Sequence, residues 1–271
     1  MFISTDNTIY VVETELEHIQ IWSEGSSTPM RNFSRNLYNS TAIYVVNNGD
    51  VYVSTSETYY HVEQWTLNST NSTIVMYADN ACYSIFVDVQ NSIYCSVGYL
   101  NKVTKKLSHD YPNTTRVVAG NGTGGSSANM LKSIRGIFVD QQLNLYVADT
   151  ANDRIQMFPP GQLNAITVAG MNASNTIALF SLSAVILDAE GYLFIVDTGN
   201  NRIVASSFAG FRCLVGCTGV PGSASNQLKS PRRVHFDSYG NLFVIDRSNG
   251  RIQKFLLATD SCAKRSNILF S

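Results

Sequence analysis

The chain has 271 residues, only 14% of them charged, with a net charge of −1 at neutral pH. Its 19 Lys and Arg are balanced by 20 Asp and Glu, so it lacks the basic face that neutralises a phosphate backbone, and nucleic acid is not expected as a partner. No run of 18 apolar residues exists to span a bilayer.

Strand sequence begins at once. Met1-Phe2-Ile3-Ser4 shows neither a basic segment nor a long apolar stretch, so no signal peptide is expected in this stretch, and the sequence is expected to be part of a longer chain. One pattern then recurs six times, an apolar strand opening toward a cationic residue. The copies read TIYVVETELEHIQIW from Thr8, DVYVSTSETYYHVEQW from Asp50, SIYCSVGYLNKVTK from Ser92, NLYVADTANDRIQMF from Asn144, YLFIVDTGNNRIVAS from Tyr192 and NLFVIDRSNGRIQKF from Asn241.

Counting supports the repeat. The strand before each copy ends at Ser4, Val46, Asp88, Asp140, Asp188 and Asp237. The next strand ends at Glu13, Thr55, Val97, Asp149, Asp197 and Asp246, nine residues later in all six copies. A repeat of about 40–50 residues is one supersecondary unit that buries its apolar face only against neighbours, which means a stacked or radial array.

Alternation and turn residues place the strands within a copy. In the fourth, Gly136 to Asp140 is the first strand, Leu145 to Ala148 the second, Ile155 to Phe158 the third and Ala165 to Ala169 the fourth, with a polar loop over Thr150 to Asp153. Four short antiparallel strands per unit and six units predict an all-β fold, a six-bladed β-propeller forming one domain over 1–271. The blades should start near residues 1, 42, 84, 136, 184 and 233, with inner strands centred on Ile3, Val45, Phe86, Phe138, Ile186 and His235. In the sixth copy, the only apolar segment after Leu256 is Asn267 to Phe270, so Ile268 to Phe270 should form a weak fourth strand or none.

Asp at the end of the second strand and Arg at the start of the third stand five residues apart in Asp149/Arg154, Asp197/Arg202 and Asp246/Arg251. Across a tight hairpin such side chains can pair bidentately and bond loop amides, a structural staple. The cationic slot continues upstream as His18, His61 and Lys102, but the acid is Thr55 and Val97 in the second and third copies. A ligand-binding role for the slot therefore centres on His61 and Lys102.

The stretches LYVADTANDRIQMF, LFIVDTGNNRIV and LFVIDRSNGRIQKF resemble NHL repeats, whose hallmark is an apolar strand, Asp, a short Asn-rich loop and Arg. The first three copies are degenerate but in register, so the resemblance covers nearly the whole chain. It implies the six-bladed fold and leaves function open, because propellers serve as enzymes, receptors and scaffolds alike. There is no RING-type Cys/His array from which a ubiquitin-ligase role could be carried over.

Cysteines number five. Cys213 and Cys217 lie in a C-x3-C turn and are the best disulfide pair. Cys82 and Cys95 flank a hairpin whose ideal register sets Cys82 against residue 98, so bridging them requires a distortion of about 10 Å. Buried thiols, or a zinc pair at the C-x3-C, remain open readings. Asn-x-Ser/Thr sequons occur at Asn32, Asn39, Asn68, Asn71, Asn113, Asn121 and Asn172, mostly in predicted loops. Together with the cysteines they point to an extracellular or outward-facing protein.

Five residues before the strand-end slots come Thr41, Tyr83, Arg135, Ser183 and Arg232, with Arg233 adjacent. These belong at the channel mouth. Tyr83, Arg135, Arg232 and Arg233 are the candidate ligand-binding residues, suited to a carboxylate or an acidic segment of a protein or peptide. The expected function is a non-catalytic binding or scaffold propeller without cofactor or metal. The alternative is a calcium- or zinc-dependent enzyme, resembling the lactonases and the amidating lyase on six-bladed propellers. Its hard cation needs six to eight oxygens, whereas the inner strands offer one histidine, His235, and no HxH or HExxH spacing exists.

Overall fold

The computed structural model describes residues 1–13, 18–26, 28–34, 37, 39–66, 69, 71–257 and 268–270. Blade one contains β1 (Phe2–Ile3), β2 (Ile9–Glu13), β3 (His18–Trp22) and β4 (Arg31–Ser34), and blade two β5 (Ala42–Val45), β6 (Val51–Ser56), β7 (Tyr60–Trp65) and β8 (Thr73–Tyr77). Blade three contains β9 (Ile85–Val87), β10 (Ile93–Val97), β11 (Lys102–Lys106) and β12 (Arg116–Ala119). In blade four come β13 (Ile137–Val139), β14 (Leu145–Asp149), β15 (Arg154–Phe158) and β16 (Ile166–Gly170). Blade five has β17 (Ala184–Leu187), β18 (Leu193–Asp197), β19 (Arg202–Ser207) and β20 (Gly210–Val215), and blade six has β21 (Pro231–Phe236), β22 (Leu242–Asp246), β23 (Arg251–Leu257) and β24 (Ile268–Phe270).

Each blade is an antiparallel sheet whose strands pair in chain order. The first strands neighbour one another from β1 round to β21, and β21 returns to β1. The fold is a six-bladed β-propeller. Its blades are contiguous in sequence, and Ile268–Phe270 supplies the fourth strand of blade six by pairing with Phe255 to Leu257 of β23. The helical content among the described residues is four single 3-10 turns, at Gly98–Leu100, Thr150–Asn152, Thr198–Asn200 and Arg247–Asn249.

The core lies between blades. One apolar layer joins Val62 and Met76 of blade two to Ile85 and Val97 of blade three, and comparable layers fill the next three junctions and the junction of blades one and two. This explains why the strands read as unbroken apolar runs. All five residues of β10 are buried because both faces of a blade are covered, so the period-2 polar alternation of a one-sided sheet is lost.

Blades six and one close the ring differently. His235 packs against Phe2 in a tilted arrangement with ring centroids 4.5 Å apart, the Asn7 side-chain carbonyl accepts the Ser238 N–H at 2.8 Å, and Lys254 forms an ion pair with Glu24.

Along the axis, Phe2, Tyr44, Phe86, Phe138, Ile186 and His235 occupy corresponding positions of the six first strands. Successive rings meet at 4.5–5.1 Å from His235 through Phe2, Tyr44 and Phe86 to Phe138, a belt across the channel. Such offset and edge contacts add modestly to the apolar burial itself.

Candidate functional site

The cationic slot pairs in register with the acid slot in every blade, at the end of the second strand in five and one residue before it in blade two: Glu13↔His18, Thr55↔His61, Val97↔Lys102, Asp149↔Arg154, Asp197↔Arg202 and Asp246↔Arg251. In the last three the pairing runs through Nε alone, at 2.8, 2.7 and 2.8 Å, rather than through a bidentate fork. The outer guanidinium nitrogens go elsewhere. Arg154 Nη1 donates to the Ser126 carbonyl and Nη2 to those of Ser127 and Met130, at 2.7–3.1 Å.

The second Asp149 oxygen accepts the Lys132 N–H at 2.7 Å, and Asn152 donates to the first at 2.9 Å. Asp197 and Asp246 repeat this arrangement with Phe180 and Asn200, and with Lys229 and Asn249. Burial pushes the Asp149 carboxyl up, against the opposing pull of Asn152, Arg154 and the Lys132 amide. The unit therefore ties the second hairpin to the connector arriving from the preceding blade.

Where the local acid is missing, another replaces it. His61 Nε2 lies 3.0 Å from Glu63, and Lys102 lies 2.6 Å from Asp79. The ligand-binding role considered for His61 and Lys102 loses its basis, since both are occupied.

A cavity of about 430 Å3 opens where the first strands begin, and its lining includes Thr41, Tyr83, Arg135, Ser183, Arg232, Arg233 and Arg247. The residues singled out at the channel mouth are thus neighbours. Arg232 and Arg233 both reach the cavity because β21 bulges between Pro231 and Val234; without the bulge, consecutive side chains would point to opposite faces. Arg247, in the turn after β22, joins them. It stands where the two preceding copies have Thr150 and Thr198, a departure from the repeat that marks it in the sequence once the alignment is made.

Arg233 donates to the Ser84 hydroxyl at 3.3 Å and to the Tyr83 carbonyl on blade three. Burial, and then the neighbouring charge of Arg135, push it down to about 10. Arg232 has a buried Nε without a hydrogen-bond partner among the described residues. The lining hydroxyls are engaged: Thr41 donates to the Cys82 carbonyl at 2.6 Å and Ser183 to the Arg232 carbonyl at 2.9 Å. No Asp, Glu or His is among the described residues that line the cavity. Tyr83 packs on Tyr99 at 5.6 Å, and Tyr99 is 71% exposed. Burial, followed by the hydrogen bond with Tyr99, pushes the Tyr83 phenol up to about 12.

Both cysteine pairs are bridged, Cys82–Cys95 with Cα atoms 5.2 Å apart and Cys213–Cys217 with 5.6 Å. The distortion expected for the first pair lies before β9. Ile85 opposes Cys95 in register, while Cys82 precedes the strand and is free to turn back toward it. Cys262 lies outside the described residues. Among the sequons, Asn39, Asn71, Asn113, Asn121 and Asn172 are exposed. Asn32 lies on β4, and Asn68 is outside the described residues. Among the described residues, no three His, Cys, Asp or Glu side chains gather around one metal position.

No protein-family model matches the sequence, and no curated protein matches it. Solved structures do resemble the fold. A chain of a nidogen/laminin complex is 19% identical, with a TM-score of 0.69 over 92% of this chain and 88% of that one. Virginiamycin B lyase from Staphylococcus aureus is 13% identical, with a TM-score of 0.59 over 86% and 69%. A streptogramin B lyase is 14% identical, with a TM-score of 0.60 over 96% and 82%. These likenesses establish the propeller and leave both binding and catalysis compatible with it.

Proposed function

We propose that this propeller is a non-catalytic binding module that captures an anionic group of a protein or peptide at the mouth of its channel. The observation that carries the reading is the meeting of Arg135, Arg232, Arg233 and Arg247 in one cavity whose described lining holds no carboxylate. A folded protein ordinarily pairs partly buried guanidinium groups with acids, as this chain does at Arg154. Arginines left without one are ready to bind an anion in bidentate fashion.

The same four charges repel a cation, which disfavours a calcium- or zinc-dependent reaction in this cavity. The Asp–Asn–Arg units support placing the chain among NHL-type propellers, where each unit is a structural clamp. The resemblance to a chain of a nidogen/laminin complex supports a protein or peptide as partner. Two disulfides and five exposed sequon asparagines support an extracellular setting.

The test is fluorescence anisotropy with a labelled oligo-glutamate peptide. Binding should weaken with salt and fall about tenfold or more in Arg135→Gln. A neutral peptide of equal length binding as well, with no effect of the substitution, contradicts the reading.

A further inference from the structure

We infer that the channel-mouth cavity is built for a tetrahedral oxyanion, the phosphoryl or sulfo group of a monoester, in preference to a single carboxylate; this rests on the binding reading above. Four guanidinium groups line one cavity of about 430 Å3. One carboxylate neutralises one of them and leaves the remaining charges facing each other.

The directions of approach matter as much as the charge. Arg135 comes from the chain leading into β13 of blade four, Arg232 and Arg233 from the bulge of β21, and Arg247 from the turn after β22. A carboxylate is planar and is saturated by one or two forks along one edge. A phosphoryl or sulfo group presents three oxygens in three directions and can accept from arginines on several sides at once.

Thr41 and Ser183 spend their hydroxyls on carbonyls, so the donors left for a ligand are mainly guanidinium nitrogens, with the Met1 amino terminus also in the lining. Arg232 Nε, buried and without a partner among the described residues, is a donor waiting for an acceptor. Tyr83 in the lining and Tyr99 packed on it give the organic part of the ester an aromatic wall.

Isothermal titration of the whole chain, with ionic strength held by chloride, should compare inorganic phosphate, inorganic sulfate, phenyl phosphate, phenyl sulfate and acetate. Tetrahedral anions should bind about tenfold or more tighter than acetate, and Arg135→Gln and Arg247→Gln should each lose about fivefold or more, with melting temperature unchanged. A phosphoryl ligand should bind more tightly as pH rises through its second pKa of about 6, whereas a sulfo ligand should not. Preferred binding of phenyl phosphate or of phenyl sulfate then names the source of the group. Acetate or oligo-glutamate binding as tightly as phosphate overturns the inference and leaves the binding module standing. If no anion and no acidic peptide binds, both fall. Tetrahedral binding that survives both substitutions also overturns it, since the ligand then sits elsewhere.

Discussion

Arg233 on blade six hydrogen-bonds the carbonyl of Tyr83 on blade three, the blade opposite. The side chain must cross the channel to do so, and small residues make the crossing possible. Ala42, Ser84, Gly136 and Ala184 hold the comparable positions of four other blades. A Cβ on Gly136 would stand 2.6 Å from the Ala184 Cα, so that junction has no room for a larger residue. Arg233 is thus held at both ends by neutral acceptors, and the anion-binding capacity falls mainly to Arg135, Arg232 and Arg247.

The clamps should differ in cost by burial. Arg154 is 4% exposed at its side chain and Asp149 is 0%, so Arg154→Ala leaves a buried unpaired carboxylate and should cost about 3–5 kcal/mol. Arg251 is 31% exposed, so water can reach Asp246 in Arg251→Ala, and the loss should be about 1–3 kcal/mol. Urea unfolding of the two variants checks the order. Equal losses would mean that burial does not set the cost.

Stability should depend on pH through His235. Burial pushes its imidazole down to about 4, with the Phe236 carbonyl pulling the other way, so the folded chain holds it neutral while the unfolded chain protonates it near 6.5. This contribution is complete above about 6.5 and is lost as pH falls toward 4, amounting to about 3 kcal/mol. His235→Phe keeps a ring against Phe2 and should reduce the pH dependence over that window, leaving the part that the buried Met1 amine, lowered to about 5, contributes. An unchanged profile would place the titration elsewhere.

The disulfides should contribute unequally. Cys82–Cys95 spans a sequence separation of 13 and Cys213–Cys217 one of 4, so loop-closure entropy assigns about 3 kcal/mol to the first and about 2 kcal/mol to the second. Double Cys→Ala variants, unfolded under identical conditions, measure both. A larger loss at residues 213 and 217 would show that native-state packing, not the loop, dominates.

Expression through a secretory pathway should give glycans on some of Asn39, Asn71, Asn113, Asn121 and Asn172, all exposed. Glycosidase treatment followed by peptide mass mapping reads this directly. Efficient secretion with every one of these sites bare would count against the extracellular setting.

Much of the fold is legible in the sequence because the repeat is a counting problem. The nine-residue offset aligns Glu13 with Asp246 although three of the six slots differ from Asp or Arg in at least one member, and the observed strands follow that alignment. The arginine cavity was legible in part as a set of positions, since Arg135, Arg232 and Arg233 fall at the start of the first strands of their blades, whereas Arg247 comes from the turn after β22. What the sequence hides is what depends on register and distance. The bulge that turns both Arg232 and Arg233 to one side is a one-residue slip, with no marker in the residues themselves. The links from Asn101, Asp153 and Asn201 to the amides of Ser133, Ser181 and Ser230 join neighbouring blades across 28–32 residues, beyond the reach of any local pattern. The acids serving His61 and Lys102 also come from outside the expected slot, because a cation on a hairpin needs only a carboxylate in reach.

The central claim is that the arginines at the channel mouth, and not those of the clamps, receive an anion. Arginine Nε–Hε resonances report it directly by NMR, with single Arg→Lys variants for assignment. On titration with oligo-glutamate, the Arg232 signal should move most, as an Nε without a partner among the described residues gains an acceptor, with Arg135 and Arg247 following. Arg154, whose Nε is already bound to Asp149 at 2.8 Å, should stay fixed. Movement of the clamp signals with Arg232 unmoved would contradict the account.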